Sequence, residues 1–386
     1  VNVVRRVKGK SKDFKELRLI GPGFEKNLPC RAMTVTLVAL MLFAGCDGKN
    51  REQESAEVDR LTLGAFSVMR EVLHDGLIPE FVRLRTSKGA KAVRFEESYL
   101  ASGALSRAIQ GGFDADVALF SLDPDVEPLV KAGLVSSDWN ANETKGYVTR
   151  SIVVIGHRPG NPKQIADWVD LTKPDVSVVY ADPKTSGGAR WNLLAVAAGG
   201  YWPNAVQASR KNLDPAGAER LLADIQKNVT VMDPSGRQSL ATFLRNSGDA
   251  ILTYENDLVQ CERLTGRPMP YVLPKRTLWI EIPAVEVTAT TTKNGRSALS
   301  QEFLAFLKSE EAKPIWARYG FRPVKGSGDV ESLPKVPDGI VKVADMGGWK
   351  AAKDNVFGPD GLWSRSFLKD SAAVSAATPN SREKRP

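Results

Sequence analysis

Cysteine and histidine are scarce, three and two in 386 residues. Cys30 and Cys46 fall near the N-terminus and Cys261 stands alone in the body, so neither a disulfide framework nor a Cys/His metal spacing can be assembled. His74 and His157 cannot supply an ordinary zinc or copper ligand set, and no cofactor or metal is expected. No apolar run reaches the ~20 residues that a membrane-spanning helix needs. A Walker-type phosphate loop, a nucleophile elbow and a catalytic triad are all missing. Glu96-Glu97 has no identifiable partner carboxylate or base, so no enzymatic chemistry is expected.

Positive charge is present but badly placed for a nucleic-acid binder. The net charge is +8. Residues 1–46 hold nine Lys/Arg against three Asp/Glu, and the final SREKRP holds three against one. The body between is close to neutral, whereas a nucleic-acid domain carries a basic stripe. Hydrophobic and charged fractions of 42% and 25% are those of a globular chain long enough for two lobes.

Residues 33–45, MTVTLVALMLFAG, have the length of a signal-peptide apolar segment. Ala44 and Gly45 precede Cys46, which resembles a lipoprotein signal; Phe43 stands where that signal usually has Leu. Cys46 is therefore the expected lipidation site, with translation expected to start near Met33. Residues 1–46 are read as leader, 47–58 as a solvated tether and 371–386 as a disordered tail.

From Arg60 onward short apolar runs alternate with helical patterns. Strands are expected at 61–66, 93–95, 115–120, 151–157, 176–182, 229–233 and 250–255, with a long extended segment at 278–288. Helices are expected over 69–84, 102–111, 124–134, after Gly188 to about Gly199-Gly200, over 217–228 and 239–246, and as a pair within 297–320. This alternation predicts an α/β fold with mixed, mostly parallel sheets.

One turn carries chemistry. In Thr185-Ser186-Gly187-Gly188-Ala189-Arg190-Trp191 a buried strand gives way to an apolar helix. Free N–H groups at a helix start favour an anion, and two glycines let it approach the backbone. The same sequence also fits an ordinary serine-capped turn. Similar turns occur at Gly64–Ser67, which opens the first helix, at Ala101-Ser102-Gly103 and at Asp233–Ser239, which precedes the helix LATFLRN, and four such ends converging on one anion is the sharper expectation. The tryptophans, including Trp168, Trp191, Trp202 and Trp349, read as packing. Cys261 reads as a small buried hydrophobe.

These motifs sit in a chain that resembles the periplasmic sulfate-binding proteins of sulfate/thiosulfate importers over about residues 60–370. GNPKQI (160–165) and SGGARWN (186–192) carry the likeness most specifically; GDAILTYEN (248–256), YGFRPV (319–324) and GGWKAAKDNVFGPDGLW (347–363) extend it. The resemblance implies the two-lobed type II periplasmic-binding-protein fold with a hinge and a ligand cleft. It implies lobe I over 59–146 and 257–320, lobe II over 147–256, and C-terminal helices over 321–370 packing on both. It implies ligand-binding roles for Ser67, Ser102, Ser186, Gly187, Gly188, Ser239 and Tyr254. Ser67 stands where the group usually has Asp, Ser239 where it has Ala, and Tyr254 where it has Trp. In the group the first two positions donate through the backbone. Arg190 and Arg237 are expected to support the site rather than touch the ligand.

The expected function is capture of sulfate or a related tetrahedral oxyanion for an ABC-type importer. Partners would be the permease, its ATPase and a membrane reached through the lipid anchor. A periplasmic monomer is expected. Thiosulfate, molybdate or phosphate are the alternative ligands, and a lipoprotein module that has lost ligand binding is the alternative role.

Overall fold

The computed structural model describes residues 58–202 and 213–366. Cys46, the leader, the tether through residue 57 and the tail lie outside the described residues. Among the described residues no helix is long and apolar enough to cross a membrane.

Among the described residues nine strands form one mixed sheet: β1 (Asp59–Phe66), β2 (Val93–Leu100), β3 (Val117–Leu119), β4 (Tyr147–His157), β5 (Val178–Ala181), β6 (Val229–Asp233), β7 (Ala250–Tyr254), β8 (Tyr271–Val272) and β9 (Trp279–Glu286). Their order is β2-β1-β3-β9-β4-β7-β5-β6, with β8 on β4. β1 pairs in parallel with β2 and β3, and β5 with β6 and β7. Every antiparallel pair involves β4 or β9. Two parallel groups are thus joined by two crossing strands. β4 pairs with β9 over its first half and with β7 over its second. All but the first of its residues are buried, as expected of a strand covered on both faces.

β2 runs to Leu100, five residues beyond the expected strand. It lies at the sheet edge, half-exposed, so Glu96 to Tyr99 show none of the apolar alternation that marks a strand. The run expected as one helix from Met69 begins at Ser67 and continues in short helical turns, one of them π-type, to Ser87.

The helix Gly187–Tyr201 is buried nearly all round, so its sequence is apolar rather than amphipathic. Gly199 and Gly200 do not end it. A Cβ at Gly199 would lie 2.5 Å from the Trp168 ring, and one at Gly200 would lie 2.4 Å from Ala218 Cα. Both glycines permit close packing, the second of them against the helix Pro215–Lys227.

The parallel strands set the site. In open α/β sheets ligands lie beyond the carboxyl ends of the strands. Here β1 ends before Ser67, β2 before Ser102, β3 before Ser121, β5 before Thr185–Gly188, β6 before Ser235-Gly236, and β7 at Tyr254.

Candidate functional site

Residues just past these six strand ends line one cavity of about 60 Å³. Of the residues expected to bind, Ser67, Ser102, Ser186, Gly187, Gly188 and Tyr254 all line it. Pockets for organic ligands and cofactors occupy ~300–1,000 Å³, so the space fits a small ion. None of its lining residues is Lys, Arg or His. Among the described residues no cluster of three or more His, Cys, Asp or Glu side chains is placed to hold a metal.

One wall comes from the turns after β5 and β6 and the end of β7. The Ser186 hydroxyl caps the helix Gly187–Tyr201 by accepting from Ala189 N at 3.3 Å. The amides of Gly187 and Gly188 are first-turn groups with no helical acceptor. Side chains of the two walls lie close to both glycines. A Cβ at Gly187 would meet Leu122 Cδ1 at 3.3 Å, and one at Gly188 would meet the Tyr254 hydroxyl at 3.4 Å. Ser235 caps the helix Gly236–Leu244 by accepting from Gln238 N at 3.3 Å.

The opposite wall comes from the ends of β1, β2 and β3. Ser102 opens the helix Ser102–Gln110. Its hydroxyl donates to Asp125 Oδ2 at 2.5 Å and accepts from Ser121 N at 2.9 Å. Burial raises the Asp125 carboxyl above its usual range, against the Ser102 bond and the charges of Arg190 and Arg107.

Ser121 joins the walls, and sequence reasoning missed it. Its amide binds Ser102, its hydroxyl lies 3.1 Å from the Tyr254 hydroxyl, and its carbonyl accepts from Trp191 Nε1 at 2.8 Å. A polar residue two positions past a buried strand was the available signal. Asp257 also lines the cavity and was not foreseen. Its carboxylate accepts from the Thr253 hydroxyl at 2.7 Å, and burial pushes it up to about 6 despite that bond and the charge of Arg237.

Three expected residues lie off the cavity. Ser239, expected to offer its amide to the ligand, is not among the lining residues: its N–H donates to Ser235 O at 3.0 Å, and its side chain is buried. Ser235 and Gly236 line the cavity in its place. Arg190 donates to Pro183 O at 3.2 Å and lines an adjoining cavity of about 290 Å³ with Arg107, Asp125 and Lys184. Arg237 turns to Glu71, with Nη1 and Nη2 donating to its two carboxylate oxygens at 2.9 and 3.0 Å. Burial would raise Glu71, but the hydrogen bonds and charge of Arg237 outweigh it and hold the carboxyl below its usual range.

Comparison with known proteins follows the same lines. The family model for bacterial extracellular solute-binding proteins matches residues 61–322. The sulfate-binding protein of Synechococcus elongatus is 35% identical, over 86% of this chain and 92% of that protein. A thiosulfate-binding protein of Escherichia coli is 30% identical, over 75% of this chain and 82% of that protein. The solved structure of the sulfate-binding protein SubI from Mycobacterium tuberculosis superposes with a TM-score of 0.68 at 34% identity. That match covers 78% of this chain and all of SubI.

Proposed function

Because the chain belongs to the family of bacterial extracellular solute-binding proteins, we propose that it captures sulfate in this cavity and delivers it to an ABC-type importer. The observation that carries the reading is the convergence of helix starts and hydroxyls on a 60 Å³ space without a cationic side chain. Backbone amides at helix starts disperse the charge of a dianion into fixed dipoles. Ser186 and Tyr254 add hydroxyl donors, and Gly187 and Gly188 add amides. Ser67 and Ser102 belong to the facing half. The function is binding, not turnover.

Capture proceeds by closure of two lobes, 59–146 with 257–320 against 147–256, the 321–370 segment packing on them. The crossing strands β4 and β9 are the hinge. A permease and its ATPase receive the ligand from a monomeric binding protein outside the cytoplasm. Cys46 carries a lipid that tethers the chain to a membrane; metabolic labelling with a fatty acid should mark the wild type and miss the Cys46→Ala variant.

A second reading rests on Asp257. A carboxylate on the wall can accept the proton of a monoprotonated oxyanion such as hydrogen phosphate, which a donor-only site rejects. Calorimetric titration of the whole chain with sulfate, thiosulfate, molybdate and phosphate separates the readings. Tightest binding of sulfate supports the first, tightest binding of phosphate replaces it with the second, and heat from none of the four removes both.

A further inference from the structure

We infer that Ser121 is a specificity-determining residue: with Tyr254 it forms a hydroxyl pair that offers the cavity a donor and an acceptor side by side, so that the site admits singly protonated tetrahedral oxyanions, of the hydrogen phosphate class, as well as fully ionised ones. The inference rests on the oxyanion reading of the cavity and deepens it by naming which oxyanions the walls can satisfy.

Ser121 follows β3 and Tyr254 ends β7, so the pair joins the two walls. Both residues line the cavity and are almost fully buried, at 2% and 3% exposure. Their hydroxyl oxygens lie 3.1 Å apart, and neither hydroxyl has another partner among the described residues. The main chain of Ser121 is held on both sides, its amide by Ser102 Oγ and its carbonyl by Trp191 Nε1. A Cβ at Gly187 would lie 3.6 Å from Ser121 Oγ, and one at Gly188 would lie 3.4 Å from the Tyr254 hydroxyl. The pair therefore faces the glycine turn proposed to hold the anion.

Two hydroxyls carry two hydrogens. One lies in the bond between them, and either oxygen can be its donor. The second is left for the cavity. When Ser121 donates to Tyr254, Tyr254 turns its hydrogen to the ligand and Ser121 keeps its lone pairs open. A singly protonated oxyanion presents the matching couple, a bare oxygen and an O–H on one tetrahedral centre. It accepts from Tyr254 and donates to Ser121, which closes a ring with no hydrogen unpaired. A fully ionised oxyanion uses the Tyr254 hydrogen alone. Burial raises the Tyr254 hydroxyl far above its usual range, so that hydrogen stays in place at neutral pH.

The other groups on the walls are less able to take a ligand proton. Backbone amides only donate. Ser186 Oγ already accepts from Ala189 N, and Ser102 Oγ from Ser121 N. Asp257 is the rival acceptor, and its carboxylate accepts from the Thr253 hydroxyl. A buried O–H left without an acceptor weakens binding by roughly 5- to 150-fold, which is the size of effect that Ser121 controls.

The test is calorimetry on the whole chain at pH 7, with wild type, Ser121→Ala, Tyr254→Phe and Asp257→Asn. Sulfate and phosphate are one pair of probes, selenate and arsenate a second; in each pair only the latter carries a proton. Wild type is expected to bind phosphate measurably. Ser121→Ala is expected to move the affinity ratio about 10-fold toward sulfate over phosphate, and by a similar factor toward selenate over arsenate. Equal changes for the protonated and unprotonated ligands overturn the inference, because Ser121 is then a plain donor or a packing residue. Tyr254→Phe leaves the Ser121 hydrogen no internal acceptor and turns it on the ligand, so both ratios should shift the same way. Unchanged ratios in that variant overturn the inference even if Ser121→Ala does not fold. A shift in Asp257→Asn without one in Ser121→Ala assigns the acceptor to Asp257 and also overturns it. A wild type that binds sulfate but no phosphate removes this inference and leaves the proposed function standing, whereas one that binds none of the four anions removes both.

Discussion

The two walls of the cavity each carry a serine at a helix start, and they use it differently. Ser186 accepts one bond, from Ala189 N, and its hydrogen has no acceptor among the described residues. Ser102 has spent its single hydrogen on Asp125 and a lone pair on Ser121 N. A hydroxyl has one hydrogen to give. The wall after β5 is thus ready to donate, while the wall after β2 is internally satisfied. In the proposed site one wall would bind with side chain and backbone together, while the other is held in shape by its serine and would donate through backbone amides. Ser186 is the N-cap of its helix and Ser102 the first residue of its own, so the same residue type at a helix start does not imply the same role.

The largest effect should come from charging the donating wall. Gly188→Asp sets a carboxylate beside the Tyr254 hydroxyl, where a Cβ alone would sit 3.4 Å away. Two like charges ~4 Å apart repel by roughly 4 kcal/mol at an effective dielectric near 20. Sulfate affinity should fall by about three orders of magnitude, measured by calorimetry, with the circular dichroism spectrum unchanged. Retained affinity would remove the Ser186–Gly188 turn from the site.

Removing each serine should split binding from stability. Ser186→Ala deletes a free donor to an anion, worth about 1.5–3 kcal/mol, or roughly 10- to 150-fold in affinity. It also removes a helix cap, so a smaller loss of stability, about 1 kcal/mol, accompanies it. Ser102→Ala leaves Asp125 and the Ser121 amide without their partner, at a cost of about 1–3 kcal/mol in folding. Its effect on affinity should be the smaller of the two. Parallel urea denaturation and calorimetry read both quantities, and equal affinity losses would erase the contrast between the walls.

That contrast also marks how far the sequence could be read. The Thr185–Trp191 turn, the helix starts at Ser67 and Ser102, and most strands were legible, because each is written in neighbouring residues. Ser121 was not. Its bonds reach residues 19, 70 and 133 positions away, and only the fold brings those together. Arg237 was expected near the ligand without contacting it, but its partner Glu71 lies 166 residues distant. Ser239 lies off the cavity for a different reason. A residue-by-residue likeness assigned it a donating amide, whereas the cap at Ser235 begins its helix one turn earlier and uses that amide internally.

The smallest effect concerns the carboxyl group hidden in each wall, Asp125 behind Ser102 and Asp257 beside Tyr254. Burial raises both, Asp257 to about 6. An unfolded Asp titrates near 3.9. Between about pH 4 and 6 the folded chain therefore holds more protons at Asp257 than the unfolded chain does, and Asp125 is shifted in the same direction. Stability from Asp257 falls as pH rises through that window, and its penalty is complete above about pH 6. Depressed carboxyls such as Glu71 contribute the opposite trend, so the whole-protein curve mixes the two. Substitution isolates the sign. The melting temperature of Asp257→Asn minus that of the wild type should become more favourable to the variant between pH 4.5 and 7.5, by at most about 2–4 °C, the shift that ~1 kcal/mol produces in a domain of ~150–250 residues. Asp125→Asn should show the same sign on the other wall. A difference that does not change with pH would mean that Asp257 is ionised at no cost, and that the two walls differ in their carboxylates as well as in their serines.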